Sequence, residues 1–165
     1  NIQPFNIANA TNVQNLMTNL RKMQGIILID APGNLTQQGL IPIFANSDYI
    51  VCPFQYEVTS INATATFISF IYKIRAKLSK DVAQLFLVDN SHDKRFGKKE
   101  ELELWRMTAK RFSEYGQITP MVEYRAEMRR YTTLYLMKTQ ETITGPAFDF
   151  IYNHIFTREE NNGKE

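Results

Sequence analysis

The sequence predicts an α/β domain in which a mostly parallel sheet is flanked by helices. Two observations support this class. Three apolar runs, at 25–30, 49–54 and 82–90, are short and continuous, as in strands that helices cover on both faces. Segments with helical spacing of apolar residues separate these runs, and alternation of strand and helix is typical of a parallel sheet. The 165 residues are interpreted as a single domain, 1–165.

The helices and remaining strands follow from apolar spacing and from start and stop residues. Thr11 or Asn12 is expected to cap the first helix, and Gly116 to follow the end of the fourth. Pro42 and Pro146 are each expected in the first turn of a helix. The predicted helices are 11–23, 41–48, 57–79, 100–116 and 145–156, with a partly helical stretch at 123–141. Short strands are predicted at 2–7 and 117–122, and a frayed polar tail at 158–165.

Composition sets bounds on the kind of protein. The net charge of +2 is too small to indicate a nucleic-acid partner by itself, so only the placement of basic residues could do so. A single cysteine, Cys52, cannot form an internal disulfide, and its apolar surroundings favour a buried thiol. No stretch reaches the roughly 18 apolar residues of a spanning helix. A cytoplasmic protein is therefore predicted.

The run "GIILIDAPGNLTQQG" at 25–39 is the most informative stretch. Four branched apolar residues lead directly into Asp30, Pro32 and Gly33. One interpretation is an ordinary turn at the exit of a strand. The other is a phosphate site, because a carboxylate at a strand end can hold magnesium through water and a glycine lets a backbone N–H approach a phosphate. Ligands of open α/β sheets bind beyond such strand ends.

Other chemistry has little support in the sequence. His92 and His154 are far apart, and no further histidine or cysteine lies at the spacing of a zinc site. No serine occupies a Gly-x-Ser-x-Gly turn, so nucleophilic hydrolysis is not indicated. The acidic cluster at 100–103 is interpreted as the solvated face of a helix.

Basic residues fall into two groups. Lysines and arginines crowd the loop before the fourth predicted helix, and three arginines follow the last short strand. The groups are Lys94, Arg95, Lys98 and Lys99, and Arg125, Arg129 and Arg130. One interpretation is ordinary solvated surface; the other is a patch that binds DNA phosphates without reading sequence.

Three motifs in series resemble the ParA/MinD-type ATPases. The first is an apolar strand ending in Asp30-x-Pro32-Gly33. The second is a short helix that leads to Ala45 and Asp48, and the third is a strand followed by Pro53, Gln55 and Glu57. The segment "ITPMVEYRAEMRRYTT" is also similar to the late part of that family. The resemblance covers about residues 20–155 and is strongest over 25–70.

The resemblance implies a P-loop-type ATPase that dimerises around ATP and magnesium. Asp30 would hold magnesium through water, Pro32 and Gly33 would face the γ-phosphate, and Asn90 would lie near the base. Members of the DNA-partition branch bind non-specific DNA, work with a ParB-like adaptor and partition plasmids, chromosomes or conjugative elements. The last predicted helix is not strongly amphipathic, so membrane binding is not expected.

The sequence departs from the family at one decisive point. It lacks the first strand and the glycine-rich lysine loop that cradles the phosphates, and "RFGKK" at 95–99 lacks the spaced glycines needed to replace that loop. The abrupt start "NIQPFN" favours a C-terminal portion of a longer ATPase. The chain alone is therefore expected not to hydrolyse ATP. The alternative is a non-catalytic scaffold related to such ATPases.

Overall fold

The computed structural model describes residues 4–78, 83–93, 97–129 and 136–162. Its order of elements is α1 (Ala10–Leu20), α2 (Leu40–Asn46), β1 (Tyr49–Phe54), α3 (Val58–Leu78), β2 (Gln84–Asp89), α4 (Lys99–Ser113), β3 (Gln117–Ile118), a 3₁₀ helix (Ala126–Arg129) and α5 (Lys138–Asn162). The three strands form a small open parallel sheet in the order β1-β2-β3. The prediction of an α/β fold with a parallel sheet is therefore confirmed.

The predicted strand over 25–30 is wrong. These residues are extended or in turns without a sheet partner, and all of them are exposed. Leu28 is 91% exposed and Ile26 is 70% exposed. The apolar run has the composition of a buried strand, but a strand also needs a neighbour to accept and donate backbone hydrogen bonds. No described residue supplies those bonds to 25–33.

Strand β1 is less buried than its sequence predicts. Ile50 and Phe54 are buried, whereas Val51 is half exposed at 51% and Pro53 is exposed. The reason is its position, since β1 is an edge strand of the described sheet. An edge also tolerates Pro53, which has no N–H to donate to a neighbouring strand. Residues 4–7, predicted as part of a short strand, do not form one either.

The chain forms two compact units, and the first contains 1–50 and 65–84. In this unit α1 packs on α2, with Val13 and Leu40 fully buried. The ring of Phe44 meets Phe67 and Phe70 of α3 edge to face. Helix α1 begins one residue earlier than predicted, because the side chain of Asn9 accepts from the Asn12 N–H and is the N-cap.

The second unit contains 51–64 and 85–165. Its centre is β2, in which three consecutive side chains, Leu85, Phe86 and Leu87, are buried. Phe54 packs edge to face on Phe112 of α4, and Phe86 packs in the same way on Phe150 of α5. Burial of such rings supplies much of the energy of a small core.

Two predicted helix boundaries are corrected. Helix α5 begins at Lys138, with Pro146 inside it rather than in its first turn, and it runs through Asn162 into the predicted tail. The buried side chain of Gln140 accepts from the Met137 N–H, which satisfies a donor at the start of the helix. Helix α4 ends at Ser113, so Gly116 is not the residue that follows its last turn.

Gly116 serves close packing instead of a left-handed turn. A Cβ placed there would lie 2.7 Å from the Leu85 carbonyl oxygen and about 3 Å from the Leu85 side chain. The chain therefore enters β3 in direct contact with the backbone of β2. Glycine is required at this position because a larger residue would not fit, and not because the backbone has a positive φ.

We predict that Gly116→Ala lowers the free energy of unfolding by about 1–3 kcal/mol, because the added methyl overpacks the contact with β2. The matched control is Gly145→Ala in α5, where a Cβ would meet nothing within 4 Å. That change should raise stability by about 0.5–1 kcal/mol, since alanine favours helix over glycine. Urea unfolding of both variants measures the difference. Equal effects of the two changes would contradict the packing argument.

Candidate functional site

The carboxyl ends of β1 and β2 bring a group of polar and aromatic side chains together in the second unit. Tyr56 follows β1, Asp89 is the last residue of β2, His92 follows three residues later, and Trp105 comes from α4. This is the end of a parallel sheet at which α/β proteins bind ligands. We call these four residues the strand-end cluster.

Backbone hydrogen bonds fix the chain around the strand-end cluster. The Asn90 N–H donates to the Phe54 carbonyl (2.9 Å), which ties the ends of β1 and β2 together. The His92 N–H donates to the Val122 carbonyl (3.0 Å), and the Val122 N–H donates to the Asp89 carbonyl (2.7 Å). These bonds continue the β2-β3 ladder beyond the strands themselves, and His92 forms an isolated parallel bridge with Glu123.

Asp89 and His92 form a close, largely buried pair. The His92 Nδ1 lies 3.2 Å from one carboxylate oxygen of Asp89 and 3.3 Å from the other. The side chain of His92 is 15% exposed, and that of Asp89 is 9% exposed. Burial raises the pKa of the Asp89 carboxyl, and the nearby His92 offsets part of that rise. Burying a carboxylate is costly, and His92 provides its partner.

Aromatic rings close over this pair. The rings of Tyr56 and Trp105 stack with centroids 5.2 Å apart and 19° between their planes. The imidazole of His92 meets both rings edge to face, at 5.7 and 5.6 Å. Burial, together with the negative charge of Asp89, raises the pKa of Tyr56 to about 12, so its phenol stays protonated at neutral pH. The cluster thus combines a carboxylate, an imidazole and a phenol in one place.

Ser91, between Asn90 and His92, adopts a left-handed backbone conformation with φ of 55°. This region is unfavourable for residues other than glycine, asparagine and aspartate. The turn persists because residues on both sides are held, Asn90 by Phe54 and His92 by Val122 and Asp89. Strained backbone beside a buried charge is typical of functional sites.

The structure places the predicted phosphate-site residues in open positions. Asp30, Pro32 and Gly33 are exposed and lie in the first unit, whereas Asn90 lies in the second, directly after β2. A Cβ on Gly33 would meet nothing within 4 Å, so no cradle surrounds its backbone among the described residues. Asp30 offers one carboxylate, which fits magnesium only if phosphate oxygens and water complete the shell.

Within the described part of the chain, no group of three or more metal-ligating side chains occurs. No described helix is long and apolar enough to cross a membrane. Cys52 is partly buried, and burial raises its pKa to about 11, which keeps the thiol protonated and unreactive at neutral pH.

The predicted DNA-binding residues are only partly described. Lys98 and Lys99 are exposed at the start of α4, and Arg125 is exposed before the 3₁₀ helix. Arg125 pairs with Glu123 at 3.0 Å, which neutralises part of its charge. Arg129 ends the 3₁₀ helix. Lys94, Arg95 and Arg130 lie outside the described residues.

Sequence reasoning missed most of the strand-end cluster. The sequence suggests His92 only as a possible zinc ligand, and Asp89 only as part of the apolar run 82–90. The sequence did contain a signal, since Asp89 and His92 lie three residues apart at the end of an apolar, strand-like run. The stacking of Tyr56 on Trp105 had no such signal, because the two residues are far apart in sequence and meet only in the folded chain.

No family model, curated protein or solved structure matches this chain. The resemblance to ParA/MinD-type ATPases therefore rests on the residues of the sequence.

We predict that Asp89→Asn changes how stability depends on pH. The pKa of Asp89 is raised in the folded protein, so the folded state binds its proton more tightly than the unfolded state does. The contribution of Asp89 to stability is therefore largest below the usual aspartate pKa of about 3.9. It is lost as pH rises through the raised pKa of the folded state. Asparagine does not titrate, so the variant should gain stability relative to the wild type as pH rises from about 3 to 7. Urea unfolding at several pH values measures this difference.

The control for this experiment is Asp149→Asn, which removes an exposed carboxylate from α5. It tests whether loss of one negative charge alone produces the same trend. A stability difference between Asp89→Asn and wild type that stays constant over the pH range would contradict the assignment.

We predict that His92→Ala lowers the free energy of unfolding by about 1–3 kcal/mol more in wild type than in the Asp89→Asn background. In wild type the substitution leaves a buried carboxylate without its imidazole partner. The ring contacts of His92 are lost in both backgrounds, so a double-mutant cycle isolates the pair. A coupling energy of zero would show that Asp89 and His92 act independently.

Proposed function

We propose that this chain is the C-terminal portion of a ParA-type ATPase that partitions plasmids, chromosomes or conjugative elements in the cytoplasm. The observation that carries the proposal is the ordered series of three motifs in the sequence, of which the second and third lie on the expected kinds of element. Ala45 lies near the end of α2, and Asp48 directly precedes β1. Pro53 and Gln55 lie at the carboxyl end of β1, and Glu57 directly precedes α3.

The open parallel sheet supports a P-loop-type fold for the intact protein. β1 is an edge strand, and residues 25–30 have a strand-like sequence but no backbone partner among the described residues. The glycine-rich loop and its strand are the elements that the sequence lacks. A missing strand would explain why an apolar run with the composition of a buried strand is left exposed.

The proposed magnesium and phosphate site uses three residues of the first unit, Asp30, Pro32 and Gly33. Bound magnesium would neutralise phosphate charge, with Asp30 holding one of its water ligands. Pro32 would orient the turn, and the backbone N–H of Gly33 would approach the γ-phosphate. In the intact protein, ATP binding would drive formation of a homodimer that holds DNA.

A non-catalytic scaffold is the second candidate, favoured by the absence of any glycine-rich lysine loop in these 165 residues. The coding sequence upstream of Asn1 distinguishes the two. An in-frame strand followed by such a loop supports the ATPase, and a start codon without one supports the scaffold.

We predict that the purified 165-residue chain does not hydrolyse ATP, because no lysine-bearing loop neutralises the phosphates. Phosphate release with ATP and magnesium measures this, and Asp30→Asn serves as the control for a contaminating ATPase. Turnover that Asp30→Asn abolishes would overturn the prediction. Turnover that is equal in both proteins would identify a contaminant.

We predict that replacing Arg125, Arg129 and Arg130 together in the full-length protein weakens binding to DNA of any sequence and reduces the salt dependence of binding. Each lost phosphate contact should reduce the slope of log affinity against log salt by about 1. The matched control replaces Arg106 and Arg111, two exposed arginines of α4. Retention of the wild-type slope in the triple variant would exclude this patch from the DNA interface.

A further inference from the structure

The segment Ile26–Ile29 is the largest continuous run of exposed apolar side chains in the described chain. Its four residues are 70%, 40%, 91% and 39% exposed in order. Ile26 and Leu28 are therefore far more open than Ile27 and Ile29, and this period of two is that of an extended strand with one free face. Single exposed apolar residues are ordinary, but four in a row indicate an interaction surface.

The backbone of this segment is also unpartnered. No described residue donates a backbone hydrogen bond to, or accepts one from, residues 25–33. An extended backbone with free N–H and C=O groups is a template for another strand. Apolar side chains and an open backbone together specify the ligand: an extended apolar peptide that pairs edge to edge.

The charges around the segment favour a second copy of the same segment in the antiparallel direction. Lys22 is exposed on the amino-terminal side, Asp30 is exposed on the carboxyl-terminal side, and no charged residue lies between them. Antiparallel pairing brings the lysine end of one copy toward the aspartate end of the other. Parallel pairing would set like charges side by side, which is unfavourable.

We infer that the 165-residue chain forms a nucleotide-independent, two-fold symmetric dimer by antiparallel pairing of residues 25–29. A register centred on Ile27 places Ile26 of each copy opposite Leu28 of the other, so the most exposed side chains cover one another. The pairing is isologous, because each segment offers the same surface to its partner. This inference does not rest on the proposed ATPase function and concerns the chain without nucleotide.

Sedimentation equilibrium of the purified chain, without nucleotide or magnesium, tests the inference. The expected result is a monomer–dimer equilibrium that Leu28→Lys weakens by at least about tenfold in the dissociation constant. Because Leu28 is almost fully exposed, lysine there does not disturb the fold of the monomer. The matched control is Phe148→Lys in α5, where an apolar side chain is 67% exposed, and it should leave the equilibrium unchanged.

Crosslinking tests the register. In a Cys52→Ser background, Ile27→Cys should form a covalent dimer on oxidation, since directly opposite residues of an antiparallel pair have close Cβ atoms. Phe148→Cys in the same background should not. A chain that stays monomeric, or a dimer that Phe148→Lys weakens as much as Leu28→Lys, would overturn the inference. A dimer that forms only with ATP and magnesium would also overturn it, while leaving the ATPase proposal intact.

Discussion

The pairing of β2 with a strand on each side is the constraint on which the second half of the molecule depends. β2 has a neighbour on both edges, and its side chains Leu85, Phe86 and Leu87 are buried. The hydrogen bonds that continue from its end to Phe54 and Val122 hold the turn at 89–92 in place. Without that ladder neither the left-handed Ser91 nor the Asp89–His92 pair would have a fixed position.

The strand-end cluster shows how the fold keeps a charge in a nearly water-free place. Asp89 is 6% exposed, and a buried carboxylate is unfavourable unless it is paired. His92 pairs with it, and the stacked rings of Tyr56 and Trp105 both contact the imidazole of His92 edge to face. Apolar residues at this position would give a stable core without the cost of burying a carboxylate. The buried Asp89 therefore marks this strand end as a candidate functional site.

The segment 25–30 shows the opposite situation, in which a sequence has the composition of a core strand but lacks its partner. Apolar branched residues gain stability only when other atoms cover them and when their backbone groups are paired. β1 reflects the same shortage, since one of its edges is open in the described sheet. The exposure of 25–30 and the open edge of β1 both reflect the lack of a neighbouring strand among the described residues, and not the residue types of these segments.

Much of the fold could be predicted from the sequence, because helical and strand periodicity is a local property. The spacing of Val13 and Met17 determined α1, and the continuous apolar run before Asp89 determined β2. The hydrogen bond from Gln140 at the start of α5 could not be predicted in this way, because it depends on which residue begins the helix. At the site, the sequence indicated that ligands bind beyond the strand ends, but it did not identify the cluster as a unit.

The sequence by itself determined the class of the fold, the order of its elements from α2 onward and the motif series on which the functional proposal rests. Only the tertiary structure decided which apolar runs are buried and which polar residues meet. Periodicity shows what a segment can do, but burial depends on the neighbours that the rest of the chain provides. Ile26–Ile29 stay exposed for lack of a neighbour, and Tyr56 reaches Trp105 because β1 and α4 converge at the end of β2.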